Sequence, residues 1–146
     1  MPEQKTIERA REDAREGKSP STQAGEFVRE EMHHVREGKH GARSPQQAIA
    51  IGLSKARRSG VKLGAPKKGS ASLKRKAEQD SAAGENPKHK TSRDRSRATS
   101  GALKRESKSS ASRRALSKQA KKSAAKRGPR ARSASALKAA RTRKAA

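Results

Sequence analysis

Apolar side chains recur every three or four positions through residues 1–65, which is the spacing that places them on one face of a helix. One stripe follows Ser19 and ends at Gly38, and a second follows Ser44 and ends at Gly60. The pattern predicts three helices, over roughly residues 4–16, 20–37 and 45–59. The apolar positions are Ile7, Ala10 and Ala14 in the first helix, Ala24, Phe27, Val28, Met32 and Val35 in the second, and Ala48, Ile49, Leu53 and Ala56 in the third.

The second and third predicted helices have recognisable starts. Ser19-Pro20 and Ser44-Pro45 each place Ser at the N-cap and Pro at the first helical position, where both residue types are favoured. Gln47 stands three residues after Ser44, which is the spacing of a capping box. These local signals fix where two of the three helices begin.

The helical region has too few large apolar side chains to be more than marginally stable alone. We therefore expect its helices to form locally and to pack on a partner, either a second copy of the chain or another protein. The residues predicted to make that contact are Phe27, Met32, Val35, Ile49 and Leu53.

The pattern changes near Pro66. Residues 66–146 contain 26 Lys+Arg and 5 Asp+Glu, a balance of 26 − 5 = +21, whereas residues 1–65 contain 13 and 9, a balance of 13 − 9 = +4. The large apolar side chains after Pro66 are Leu73, Leu103, Leu116 and Leu137. Such a segment cannot bury enough apolar surface to offset its ordering entropy. The predicted fold class is therefore mostly α plus disorder, with a small helical region of unknown function over 1–65 and a disordered polybasic tail over 66–146. Parts of that tail, such as 111–127, are expected to become helical on a polyanion.

Composition narrows the function classes further. The chain has a net charge of +25, 28% hydrophobic residues, one aromatic residue and no cysteine. This charge attracts polyanions, and the absence of cysteine excludes disulfides and thiolate metal sites. The polar stretch 1–14 lacks the apolar core of a signal peptide, and the longest apolar run, 48–53, is too short to cross a bilayer. We expect no membrane insertion and a cytoplasmic location on the nucleoid.

The candidates for site chemistry are few. His33, His34 and His40 lie near Glu30, Glu31 and Glu37, but a metal site needs three or four converging ligands with supporting partners. We interpret this segment as a solvated polar face and expect neither metal nor cofactor. No phosphate-binding glycine loop and no Ser/His/Asp arrangement is recognisable, so we expect a protein that is not an enzyme.

Two segments carry a resemblance to a known family. Residues 19–31, SPSTQAGEFVREE, and residues 44–57, SPQQAIAIGLSKAR, are similar to a family of small basic bacterial proteins described only as a domain of unknown function. The resemblance covers roughly residues 1–65; it implies a bacterial source and transfers no activity. The tail, with KKSAAKR at 121–127, resembles in composition the tails of linker histones and bacterial histone-like proteins.

The basic tail is predicted to bind DNA or RNA. Lysine and arginine neutralise phosphates and release counterions, while the segment lacks both a rigid element for reading bases in a groove and aromatic side chains for stacking. The expected binding is therefore independent of sequence, as in a histone-like accessory protein. The predicted contact residues are Lys74, Arg75, Lys76, Lys104, Arg105, Arg113, Arg114, Lys118, Lys121, Lys122, Lys126, Arg127, Arg130, Arg132, Arg141, Arg143 and Lys144.

Three alternatives stay open at this point. The chain could be a hydrophilic disordered protein that protects against stress, or a basic protein associated with the ribosome. The third alternative is a helix-turn-helix in which residues 45–59 form the recognition helix and Arg57 and Arg58 face DNA. The connection over residues 38–43 is longer than the usual turn of that motif.

Overall fold

The structure is a computed structural model that describes residues 1–86 and 92–145. Within these ranges the chain forms six α-helices and one 3-10 helix. Residues 87–91 and 146, which belong to the predicted tail, lie outside the described residues. The chain divides into two compact units, Met1–Ala111 and Ser112–Ala146. The helices are α1 Gln4–Arg15, α2 Pro20–Glu37, α3 Pro45–Arg58, α4 Ala71–Glu85, α5 Arg93–Lys104 and α6 Arg113–Ala145, with the 3-10 helix at Lys108–Ala111.

Helices α1, α2 and α3 lie within one residue of the predicted bounds. The Ser19 hydroxyl accepts a hydrogen bond from the Thr22 N–H at 3.4 Å, and the Ser44 hydroxyl accepts one from the Gln47 N–H at 3.2 Å. The side chain of Gln47 turns back as in a capping box, although it accepts from the Arg43 N–H at 2.7 Å. Local capping therefore determines both helix starts.

In the first unit, α2 packs against α1 and α3, and α3 also packs against α4. Alanines supply much of this core, which lets the helices approach one another with few large side chains between them. The buried cluster consists of Ala10, Ala24, Phe27, Ala56 and Val61, and Ile7, Leu53 and Leu63 pack against it.

The predicted disorder of residues 66–146 is wrong, because the described part of this segment is largely helical. Helix α4 begins at a serine cap, where the Ser70 hydroxyl accepts from the Leu73 N–H at 3.2 Å. It docks on α3 through a polar contact, in which the Ser54 hydroxyl donates to Asp80 Oδ2 at 2.7 Å. Disorder was predicted because residues 66–146 have few large apolar side chains. The docking of α4 on α3 instead uses small residues and a buried carboxylate.

The connection between α2 and α3 is held by residues far along the chain. The Gly41 N–H donates to the Leu103 carbonyl at 2.8 Å, and the Ala42 N–H donates to the Ser107 carbonyl at 3.0 Å. These backbone hydrogen bonds join the end of α5 and the segment after it to the connection between α2 and α3. The first unit therefore extends well beyond Pro66, where the composition changes.

The second unit consists of α6. Its helix is interrupted at Gly128, whose backbone has φ 76° and ψ 165°, and continues after Pro129. Glycine tolerates this positive φ, and proline suits the first turn of a helix. At the start of the unit, the Ser112 hydroxyl accepts from the Ala115 N–H at 3.2 Å. Alanine, lysine and arginine are strong helix formers, so local propensity favours this helix, and the expectation of disorder, which rested on apolar burial, missed it.

Candidate functional site

The second unit carries positive charge without compensation from its own sequence. Residues 112–146 contain 13 Lys+Arg and no Asp or Glu. The contact residues predicted in this unit are all exposed; they are Arg113, Arg114, Lys118, Lys121, Lys122, Lys126, Arg127, Arg130, Arg132, Arg141, Arg143 and Lys144. Lys138 is exposed as well and was absent from the predicted set.

Five of these cations share one face of the helix before Gly128. Their spacing of three and four residues places them along a single strip of the helical surface. We call this strip the basic stripe; it consists of Arg114, Lys118, Lys121, Lys122 and Lys126. With a rise of about 1.5 Å per residue, it extends over roughly 18 Å. Leu116 lies outside the stripe, on the opposite side of the helix.

The contact residues predicted in the first unit differ in exposure and in ion pairing. Lys74 is half-buried, whereas Arg75, Lys104 and Arg105 are exposed. Lys76 lies 2.6 Å from Asp80 Oδ1 on the next turn of α4. Its charge is therefore balanced within the protein, and it is a poorer candidate for binding phosphate than the sequence suggested.

The structure argues against the helix-turn-helix interpretation of α3. Arg57 is buried, and its guanidinium donates to the carbonyl oxygens of Leu63 and Gly64, both at 3.1 Å. This side chain holds the segment after α3 in place and does not face outward. Arg58 is exposed and lies 4.0 Å from Asp80 Oδ1. Helix α3 also packs against α2 and α4, which covers much of its surface.

The predicted partner contacts are mostly core residues. Phe27 and Val35 are fully buried and Met32 is 8% exposed, while Ile49 and Leu53 are half-buried. The prediction that these residues contact a partner is corrected for Phe27, which packs in the buried cluster formed by α1, α2, α3 and the residues after α3.

The histidine-rich end of α2 is buried, so the prediction of a solvated polar face is wrong for most of it. Glu30, Glu31 and His34 are buried, whereas His33 is exposed. Lys55 Nζ lies 3.3 Å from Glu30 Oε1 and 2.7 Å from Glu31 Oε2. Two adjacent carboxylates on α2 therefore share one ammonium from α3.

Glu31 also faces a histidine. His40 Nε2 lies 3.0 Å from Glu31 Oε1. Despite these short distances, neither carboxylate oxygen of Glu31 has a hydrogen-bond partner in suitable geometry. Coulomb attraction depends little on angle, so these short distances compensate charge even where the angles do not suit a hydrogen bond. Glu31 thus shares the charge of Lys55 with Glu30 and is poorly satisfied in hydrogen bonds.

Glu3, the N-cap residue of α1, closes this cluster. Its N–H donates to Glu30 Oε2 at 3.0 Å, and its carboxylate accepts from His34 Nε2 at 2.9 Å and from Lys39 Nζ at 3.0 Å. The hydrogen bond from His34, followed by that from Lys39, lowers the pKa of Glu3 from 4.5 to about 2. The same ion pair, with Glu37, raises the pKa of Lys39.

Comparison with known proteins does not assign the chain to a family. No family model, curated protein or solved structure matches the chain, so the resemblance of residues 1–65 to a bacterial family stays a prediction. In the described part of the chain, every helix is too short or too polar to cross a lipid bilayer.

Proposed function

We propose that this protein binds nucleic acid through the phosphate backbone, without sequence preference, as an accessory protein of the nucleoid. The observation that carries the proposal is the second unit, in which 13 cations and no carboxylates occupy 35 residues of sequence. Five of the cations form the basic stripe on one helical face. The proposed contact is this stripe against a row of phosphates.

The helical structure of α6 defines the proposed contact with phosphates more closely than a flexible tail would. A strand of B-DNA presents one phosphate per about 3.4 Å of helix axis, and the five charges of the stripe extend over roughly 18 Å. A preformed row of charges gives up less conformational freedom on binding than a coil does. The binding energy then comes mainly from releasing the counterions that the phosphates held.

The composition of the stripe favours contacts to phosphates over contacts to bases. Four of its five residues are lysines, and lysine acts as a point charge with three rotatable donors. Base reading depends on bidentate partners such as Arg, Asn and Gln placed at defined positions. The proposed binding therefore extends to both DNA and RNA.

The proposal is tested with the full chain on duplexes of stated composition. Fluorescence anisotropy would follow binding to two DNA duplexes of unrelated sequence and to one RNA duplex, over a series of salt concentrations. We expect similar affinities for the two DNA sequences and a steep fall of affinity with salt, by about 0.9 in log–log slope for each phosphate neutralised on B-DNA. A strong preference for one DNA sequence, or an affinity that does not change with salt, would contradict the proposal.

A further inference from the structure

A set of possible metal ligands meets in the first unit, outside the proposed nucleic-acid interface. One ligand atom from each of Glu31, His34 and His40 lies within 4.8 Å of the others. Glu31 and His34 stand one turn apart on α2, and His40 lies in the connection to α3. Glu31 is fully buried, and the histidine side chains are 11% and 16% exposed. The set is thus mostly enclosed, and its two histidines keep a small exposed fraction.

In the neutral ring of His40, the hydrogen bond made by Nδ1 leaves Nε2 without a proton. His40 Nδ1 lies 3.0 Å from the carbonyl oxygen of Gly41. Because a carbonyl only accepts, Nδ1 carries the hydrogen. In the neutral ring Nε2 then points a lone pair at Glu31 Oε1, which is 3.0 Å away and is also an acceptor. Two lone pairs at this distance need a positive species between them, either a proton or a metal ion.

In His34 one ring nitrogen is likewise engaged by an acceptor, and the other, Nδ1, lies 3.9 Å from Glu30 Oε1. Its Nε2 donates to the carboxylate of Glu3 at 2.9 Å, which leaves Nδ1 as the bare nitrogen. Histidines that bind metals commonly donate their other ring N–H to a carboxylate or a backbone carbonyl, which fixes the tautomer. Here Glu3 supplies the carboxylate for His34 and Gly41 supplies the carbonyl for His40.

The charge of the buried group also favours a cation. Glu30 and Glu31, with side chains 3% and 1% exposed, share the single ammonium of Lys55. With neutral histidines this group carries one net negative charge, 2 − 1 = 1, in a place where buried charges need compensation. Glu31 Oε2 lies 2.7 Å from the Lys55 ammonium, so Oε1, which lacks a hydrogen bond and lies 3.0 Å from His40 Nε2, is the atom best placed to accept a cation.

We propose that Glu31, His34 and His40 bind one Zn²⁺ ion, which ties the end of α2 to the connection before α3. Two imidazoles and a carboxylate suit zinc better than Mg²⁺ or Ca²⁺, which prefer oxygen ligands. In a tetrahedral site with bonds of about 2.0 Å, neighbouring ligand atoms are roughly 3.3 Å apart. The 3.0 Å between His40 Nε2 and Glu31 Oε1 is close to that value. All three ligand atoms lie within 4.8 Å of one another, so binding the ion needs only a small approach of the side chains. Water completes the coordination.

The test is a zinc titration of the full chain, in competition with a chromophoric chelator near neutral pH. We expect one Zn²⁺ per chain with micromolar affinity or better. His40→Gln and His34→Gln should each weaken binding by about tenfold or more. His33→Gln is the matched control, because His33 is adjacent in sequence but exposed, and it should bind zinc like the parent. Equal losses in all three variants, or no binding by the parent, would overturn the proposal.

A second readout does not depend on whether the variants fold. In the parent chain, ¹⁵N-detected histidine spectra would be recorded with zinc and with Mg²⁺. Zinc should shift the ring nitrogens of His34 and His40 and leave those of His33 in place, and Mg²⁺ should shift none. If His40 Nε2 instead carries a proton that zinc does not displace near neutral pH, the proton fills the position and the metal site does not exist.

Discussion

The hydroxyl of Ser54 on α3 donates to the buried carboxylate of Asp80 on α4 at 2.7 Å. Asp80 is 3% exposed and also pairs with Lys76 at 2.6 Å. This contact joins the helical region before Pro66 to the low-complexity segment after it. A disordered tail could not make it.

We predict that Ser54→Ala lowers the free energy of unfolding by about 1–2 kcal/mol, because it removes a hydrogen bond to a buried charged group. Chemical denaturation followed by circular dichroism measures the change. Ser96→Ala, at an exposed position on α5, is the control and should change stability by less than about 0.5 kcal/mol. A Ser54→Ala protein as stable as the parent would mean that α4 does not dock on α3.

The contact between α3 and α4 also leaves no room at Gly84. A Cβ atom at this position would overlap the backbone carbonyl oxygen of Arg57, whereas one at Gly25 on α2 would meet nothing within 4 Å. We expect Gly84→Ala to lower the thermal midpoint. Gly25→Ala should raise stability by about 0.5–1 kcal/mol, since alanine favours helix over glycine. If both variants were stabilised, the packing of α4 on α3 would be refuted.

The pairing of Glu3 predicts a dependence of stability on pH. The hydrogen bonds from His34 and Lys39 lower the pKa of Glu3 from 4.5 to about 2. A carboxyl whose pKa is lower in the folded state contributes stability above its unfolded pKa, and that contribution is lost as pH falls through the folded value. The stabilisation from Glu3 should therefore be complete above about pH 4.5 and disappear towards about pH 2.

Glu3→Gln should accordingly be less stable than the parent at neutral pH and equally stable near pH 2, as thermal unfolding at several pH values would show. Glu8→Gln makes the same change of charge at an exposed position of α1 and serves as the control. A difference between Glu3→Gln and the parent that persists unchanged in acid would show that the carboxylate charge is not responsible.

The basic stripe predicts that the two sides of α6 are not equivalent. Lys118→Gln with Lys122→Gln removes two charges from the stripe, and Arg113→Gln with Arg127→Gln removes two charges of the same helix from outside it. If both stripe residues contact phosphates, the first pair should lower the log–log salt slope on duplex DNA by about 1.8. The second pair should change it much less. Equal changes would indicate that net charge alone governs binding.

Local signals in the sequence were sufficient for the first three helices, namely apolar spacing for α1 and apolar spacing with serine caps for α2 and α3. Ser19 and Ser44 cap α2 and α3 as expected, because capping depends on residues within one turn. The later helices were missed because the argument for disorder weighed apolar burial alone. Ser70 and Ser112 are serine caps of the same kind, and the alanine-rich runs that follow them are strong helix formers. These two signals would have indicated α4 and α6.

The buried cluster on α2 could not be inferred in the same way. Its partners are distant in sequence. Glu3 lies 27 residues before Glu30, and Lys55 lies 25 residues after it. On the helix alone, Glu30, Glu31 and His34 have the pattern of a solvated face. Only the packing of α1, α3 and the connection after α2 turns that face into a buried site.

The measurement that tests the central proposal most directly compares two triple variants of the full chain on duplex DNA over a salt series. Lys118, Lys122 and Lys126 of the basic stripe are changed to Gln in one variant, and Lys5, Arg11 and Arg15, exposed cations of α1, are changed to Gln in the other. We predict that the stripe variant binds more weakly and loses about 2.7 from its log–log salt slope, at about 0.9 per phosphate contact, while the α1 variant stays close to the parent. If the two variants lose affinity equally, or if the α1 variant loses more, α6 is not the nucleic-acid-binding element.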